Sequence, residues 1–188
     1  MMHVRDPLDL LPLRQMVTAR GDAALVFARP GLLDGLSRPD RYRIAGHDQG
    51  GQILAASEFA LADARLLLQQ AYGDLVGFGA PTVHTYVDAA AQSLMVPIMF
   101  LRIDAPRPHM LQLLEILQAR RARWFEKETP RDRVVIRAEL AFSRAHGLQR
   151  QLLELTDGSA HCLSWLLGYE RSLQEGKAGS AKDAGVHA

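Results

Sequence analysis

Between Val96 and Glu170, six segments follow one another as strand, helix, strand, strand, helix, strand, and few folds accommodate that order. From Val96 to Ile103, Met99, Leu101 and Ile103 alternate with Ile98, Phe100 and Arg102, the period of two expected of a strand. The strand ends at Asp104. Pro106 and Pro108 suit the first turn of a helix, where a missing N–H costs little, and Met110, Leu113, Leu114 and Leu117 then recur at i, i+3, i+4 and i+7. Arg120, Arg121 and Arg123 fall near the C-terminus of that amphipathic helix, where the dipole favours cations. Trp124 to Glu128 predicts a short second strand ahead of a turn at Pro130. Val134, Ile136, Ala138 and Leu140, alternating with Val135, Arg137 and Glu139, give the clearest strand pattern in the chain. Ser143 suits an N-cap, and Ala145, Leu148, Leu152 and Leu155 form a helical stripe that stops at Thr156-Asp157-Gly158. Cys162 to Leu167 closes the unit.

This order is that of a ferredoxin-like split βαβ, an antiparallel sheet with two helices on one face. The other sheet face should be wet, yet Ile98, Phe100 and Val135 fall on it. The final strand is apolar on both faces, with Cys162 and Leu166 on one and Leu163, Trp165 and Leu167 on the other. A sheet apolar on both sides predicts a cover, supplied by the N-terminal half or by a second copy.

Val96-Pro97-Ile98 through Ile103-Asp104-Ala105-Pro106, Val135 to Leu140, Gly147, Leu153-x-Leu155-Thr156-Asp157-Gly158-Ser159-Ala160 and Gly168-Tyr169-Glu170 together resemble the C-terminal domain of elongation factor G. The ending from Cys162-Leu163 to Leu166-Leu167-Gly168-Tyr169 is similar to that of its relatives, the tetracycline-resistance ribosomal protection proteins. The resemblance implies a ferredoxin-like domain that contacts the ribosome at its factor-binding region, hence rRNA and ribosomal protein as partners. One departure is Ser159, where the family usually carries an arginine after the turn glycine. If that arginine holds rRNA, the contact is absent here.

The 188 residues suggest one or two small domains, and 48% apolar with 23% charged residues is ordinary for a soluble globular chain. The net charge of +1 gives no global attraction to nucleic acid or to an acidic membrane. One cysteine excludes an internal disulfide and suits a reducing cytoplasm. Asp6 and Asp9 stand where a signal peptide would need a basic start and an apolar core, so a cytoplasmic location is expected.

Residues 1–94 are expected to form a smaller α+β region, 95–171 the ferredoxin-like domain and 172–188 a disordered tail, polar and glycine-rich from Gly176 onward. In the first region Leu13 to Thr18 reads as a short helix, Asp22 to Arg29 and Arg41 to Ala45 as strands, and Gly73 to Pro81 as a glycine-rich break before a strand over Thr82 to Val87. Ser57 suits the cap of a helix with Leu61, Ala64, Leu68 and Ala71 on its buried stripe. The helix followed by Leu75-Val76-Gly77-Phe78 and a β run is similar to part of the next-to-last domain of elongation factor G, in a shortened form. Where that family has a tip loop and a long helix, this chain has only Ala89 to Met95, so neither translocation nor tetracycline release is implied.

The phosphate-cradling motif of GTPases is absent; Gly176-Lys177 is followed by Ala178. No Cys-x-x-Cys, His-Glu-x-x-His or Gly-x-Ser-x-Gly occurs, so no cofactor, metal, small-molecule substrate or enzymatic activity is expected. His47-Asp48 reads as a polar turn, His84 and Tyr86 as a surface pair, and Cys162 as a core residue that cannot form a dyad with the adjacent His161. Chemistry concentrates in Arg120 to Arg137. There Arg120, Arg121, Arg123, Lys127, Arg131 and Arg133, with Trp124 and Phe125 interleaved, are the candidate RNA-binding residues. The same pattern fits a solvated helix end and turn with the aromatics in the core. Two readings follow: a ribosome-associated module without its own GTPase, whose GTPase would lie on a partner domain, or an interaction domain that forms a homodimer through the apolar sheet face.

Overall fold

A computed structural model describes residues 7–47, 50–128 and 132–172. The second unit follows the expected path. It comprises β6 (Ser93–Pro106), α4 (Met110–Ala119), β7 (Arg123–Glu128), β8 (Arg133–Ala141), the short α5 (Phe142–Ala145), α6 (Leu148–Leu155) and β9 (His161–Arg171). Its strands lie in the order β7-β8-β6-β9, every pairing antiparallel. That is the ferredoxin-like sheet.

Both helices cover one side. Leu113 and Leu117 of α4 and Leu148 and Leu152 of α6 are fully buried in one cluster with Met99, Leu101, Ile103, Val134, Ile136, Ala138 and Leu140. Those strand residues are the alternate positions read from the sequence, so the period-two pattern chose the buried face. Each such leucine contributes about 1.5–3 kcal/mol when removed from water. The second helix departs from expectation in one respect. Ser143 does not cap it, because the chain makes a short first helix, breaks at Gly147 with φ +67°, and restarts at Leu148. The stripe Ala145, Leu148, Leu152 spans that break without revealing it. The predicted turn at Pro130 lies outside the described residues.

The first unit runs β1 (Leu13–Ala19), α1 (Gly21–Phe27), α2 (Pro30–Leu36), β2 (Tyr42–His47), β3 (Gly50–Ala55), α3 (Glu58–Tyr72) and β4 (Val76–Val83). Its strand order β2-β3-β1-β4, again wholly antiparallel, is the same path as that of the second unit. Two expectations are reversed here. Leu13 to Thr18 is the central strand β1, because Leu13, Gln15 and Val17 are buried at period two while Met16 and Thr18 face out. Asp22 to Arg29 is helical over Gly21–Phe27, burying Ala23 and Phe27 at i and i+4; a short apolar run fits either period. The glycine-rich stretch before Pro81 is mostly strand β4, and the strand expected over Thr82 to Val87 is split between the end of β4 and the short β5 (Tyr86–Asp88), which pairs with Ser93 to Met95. β3 was not foreseen. Its Gly51 packs so tightly that an added Cβ would stand 2.4 Å from the Phe27 ring, which is why glycine occupies a strand there.

Ser57 caps α3 as expected, its hydroxyl accepting from the Ala60 amide at 3.2 Å; Leu61, Ala64 and Leu68 are buried, and Ala71 is exposed. The start of α3 reaches the helix layer of the second unit. There the Glu58 carboxylate accepts from the Gly147 amide at 3.3 Å and pairs with His146. At the other end of the contact, Tyr169 donates to the Asp9 carbonyl at 2.9 Å. The first unit therefore docks beside the helices and does not cover the aromatic part of the outer sheet face, so of the two covers expected from the sequence the N-terminal half is not the one there.

Candidate functional site

The fold disperses the basic segment read from the sequence. Arg120, at the end of α4, donates to the carbonyls of Arg144 at 2.6 Å and His146 at 2.8 Å and to Gln151 Oε1 at 3.0 Å. It is a strut between α4 and the α5–α6 break. Arg121 follows with φ +53° and an exposed side chain. Arg123 is held between Glu139 at 2.9 Å and Glu170 at 2.8 Å, and the Glu170 hydrogen bond is the main cause of its raised pKa. Arg133 bonds Asp104 Oδ1 at 2.5 Å and also reaches the carbonyls of Asp104 and Ser159. Lys127 is exposed on the edge strand β7, and Arg131 lies outside the described residues. Three of the six candidates thus hold the unit together through acidic and carbonyl partners, while Arg121 and Arg123 line one cleft with Arg144 and Arg171.

A different surface also assembles. On the outer face of the sheet, Phe100 stands opposite Trp165 of β9 and Glu139 of β8, and Arg102 opposite Leu163 and Arg137. The Phe100 and Trp165 rings stack at 4.4 Å with an interplanar angle of 27°, and Phe125 joins them with its centroid 5.8 Å from that of Phe100. A bulge between Trp124 and Glu126 puts Phe125 on this face, while Trp124, in register with Ala138, belongs to the helix side. The two neighbouring aromatics read together in the sequence are therefore on opposite faces, and neither is in the core. Trp165 remains 48% exposed, Phe125 56% and Leu163 56%, so nothing among the described residues covers the patch.

The remaining candidates are structural. His84 and Tyr86 do not form a surface pair. With Tyr169 they make an aromatic cluster between the two units, and His84 Nε2 lies 3.1 Å from Asp9 Oδ1. Burial, helped by Arg14 and opposed by Asp9, lowers the His84 pKa. Burial, with the Asp9 carboxylate adding to it, raises that of Tyr169. Cys162 faces the helices in register with Ile103, and burial pushes its thiol up to about 11, so it is no nucleophile at neutral pH. His47 is exposed, and its neighbour Asp48 is outside the described residues. A cleft of about 50 Å³ between the units, lined by Glu58, Phe59, Phe142 and Cys162, is far below the roughly 300–1,000 Å³ of ordinary ligand sites. Among the described residues no three His, Cys, Asp or Glu side chains group as metal ligands, and no helix is long and apolar enough to cross a membrane.

With this geometry in place, residues 93–177 match the family model described as elongation factor G C-terminus. This part of the chain belongs to the elongation factor G C-terminal family. The matched span contains the whole ferredoxin-like unit and the outer aromatic face. The departure from the family's usual pattern at Ser159 has a local explanation. Its hydroxyl and amide both bond the Thr156 carbonyl, and its own carbonyl receives Arg133. A side chain from a neighbouring strand thus brings a guanidinium to that turn. No curated protein matches the chain. A crystal structure of a Thermus thermophilus protein is similar in fold, with a TM-score of 0.56 at 15% identity over 85% of this chain. At that identity the likeness speaks for the fold alone. The match takes in 40% of the Thermus protein, so this elongation factor G C-terminal unit and the unit before it span well under half of that chain's length.

Proposed function

We propose that this protein is a non-catalytic, translation-factor-like module that associates with the ribosome and carries no GTPase of its own. The observation behind the reading is that its second unit is an elongation factor G C-terminal domain. The sequence supplies no phosphate-binding loop beside it, so any GTP hydrolysis would come from another chain or domain. Contacts to rRNA would fall on the outer sheet face, on Arg121 and on the exposed Lys127, since Arg120, Arg123 and Arg133 are committed within the fold. Contact with ribosomal protein would use the same surface, and the reading entails cytoplasmic residence. A second reading is favoured by the exposed aromatic patch, namely a protein-interaction or homodimer surface without ribosome binding.

Cosedimentation with ribosomes at low and high salt tests the first reading. Binding that weakens steeply with salt supports it. A chain that stays in the supernatant at every salt concentration, and behaves as a salt-insensitive dimer disrupted by Phe100→Asp, would replace it with the second.

A further inference from the structure

The outer sheet face joins features that its fold alone does not demand. It carries three aromatic rings, with those of Phe125 and Trp165 each within 6 Å of Phe100 on the central strand β6. Two of the three are about half exposed, although stacked rings of this size are normally drawn into a core. Beside them on β6 stands Arg102, opposite Arg137 of β8, which in turn has Glu126 of β7 opposite it in register. Arg102 has no ion-pair partner among the described residues.

We propose that this face is a stacking platform for the unpaired bases of single-stranded RNA. Phe100, Phe125 and Trp165 take the bases, and Arg102 takes a phosphate at the edge of the patch. The inference rests on the reading of the chain as a module that contacts RNA, and names the surface and the kind of RNA. An open four-stranded sheet presents aromatic rings at spacings that splayed bases can follow, and every base offers a π-face. A duplex cannot use it, because its bases are already stacked and its edges lie in grooves. A second copy of the chain fits less well, since it would bring its own Arg102 to a patch where Arg102 already stands without an ion-pair partner. Of the acidic groups nearby, Glu139 and Glu170 are held by Arg123 and Asp104 by Arg133, and Glu126 lies in register with Arg137.

The test titrates the full chain with short oligo(U) and oligo(A), following tryptophan fluorescence, with duplex RNA as control. The single strands should quench, the duplex should not, and a Trp124→Phe variant should keep the response, because the reporter is Trp165. Trp165→Leu and Phe125→Leu should each weaken binding by about 5- to 150-fold, the loss of one stacked base. Arg102→Gln should reduce the salt slope by about one. Should Trp165→Leu fail to fold by circular dichroism, Phe125→Leu, at a more exposed position, decides the matter. Absence of quenching, equal quenching by duplex, or affinities unchanged in the variants overturns the platform. So does a dimer that Trp165→Asp dissociates in a protein that ignores RNA. Ribosome pelleting separates the two levels: a chain that pellets but ignores the oligonucleotides loses the platform and keeps the translation reading, whereas one that does neither loses both.

Discussion

Replacing Arg120 by alanine distinguishes a strut from an RNA contact. The side chain donates three hydrogen bonds, two of them to the carbonyls of Arg144 and His146, which sit where α5 ends and the chain turns at Gly147. A four-residue helix cannot satisfy these carbonyls internally, so the guanidinium does so from α4. Hydrogen bonds to a charged group contribute roughly 1.5–3 kcal/mol each where water is excluded. These are solvent-exposed, and water replaces part of what is lost, which leaves an expected cost of about 1–2 kcal/mol for Arg120→Ala. For a chain of this size that corresponds to a melting temperature lower by about 2–8 °C. Urea unfolding followed by far-ultraviolet circular dichroism measures it, as a lower midpoint at unchanged slope. Arg120→Lys should recover only part of the loss, because an ammonium cannot reproduce the fork. Lys127→Ala, at an exposed edge, should stay within about 0.5 kcal/mol of the parent. If Arg120→Ala is as stable as the parent yet loses ribosome binding, the strut assignment is wrong and the residue belongs to the interface.

Gly51→Ala should destabilise the first unit by about 1–3 kcal/mol, since the new Cβ meets the Phe27 ring at 2.4 Å and the Ala45 carbonyl at 2.9 Å. Phe27→Leu in the same chain should cost less than the sum of the two single changes, and strict additivity in urea midpoints would contradict the contact. The lowered pKa of His84 means that the unfolded chain takes up the proton first, so stability should hold above about pH 6.5 and fall as pH drops below it. His84→Gln should flatten that slope, and a parent whose stability rises on acidification would refute the assignment. Cys162, with its thiol pushed up to about 11, should react with a disulfide reagent at pH 8 on the order of 100-fold more slowly in the native protein than in urea; equal rates would show that it is not buried.

The second unit was legible because one face of its sheet is buried by helices, so Met99, Leu101 and Ile103 alternate with Phe100 and Arg102 and register follows from the pattern. The first unit was not, for a reason visible at Leu13 to Ala19 and Gly21 to Phe27. Both runs are too short for period two and period 3.6 to separate, and their assignments depend on partners far along the chain, Gly50 to Ala55 and Val76 to Val83. β3 and β4 carry glycines near their starts that serve close packing at Gly51 and beside Thr18, whereas in a sequence such glycines signal turns. The partners of the candidate site were hidden for a different reason. Spacing put Arg120, Arg123 and Arg133 in one segment, but their partners Gln151, Glu139, Glu170 and Asp104 come from other strands and helices. The aromatic face was half legible. Phe100 was placed on the outer side correctly and Trp165 was grouped with Leu163 without a side being named, while the bulge that carries Phe125 to the outer face left no mark in the pattern.

The Gly147 amide bound by Glu58 has a consequence for how the two halves are held together. A main-chain donor cannot be mutated away, and an L-residue at φ +67° would twist the donor off its line even though space for a side chain exists. One end of the contact between the halves thus depends on backbone handedness at one position and a carboxylate at another, while Tyr169 and Asp9 hold the other end. A substitution at either loosens that end alone and leaves the aromatic surface and its chemistry untouched, so a variant there should alter the freedom of the first half before it alters what the second half can hold.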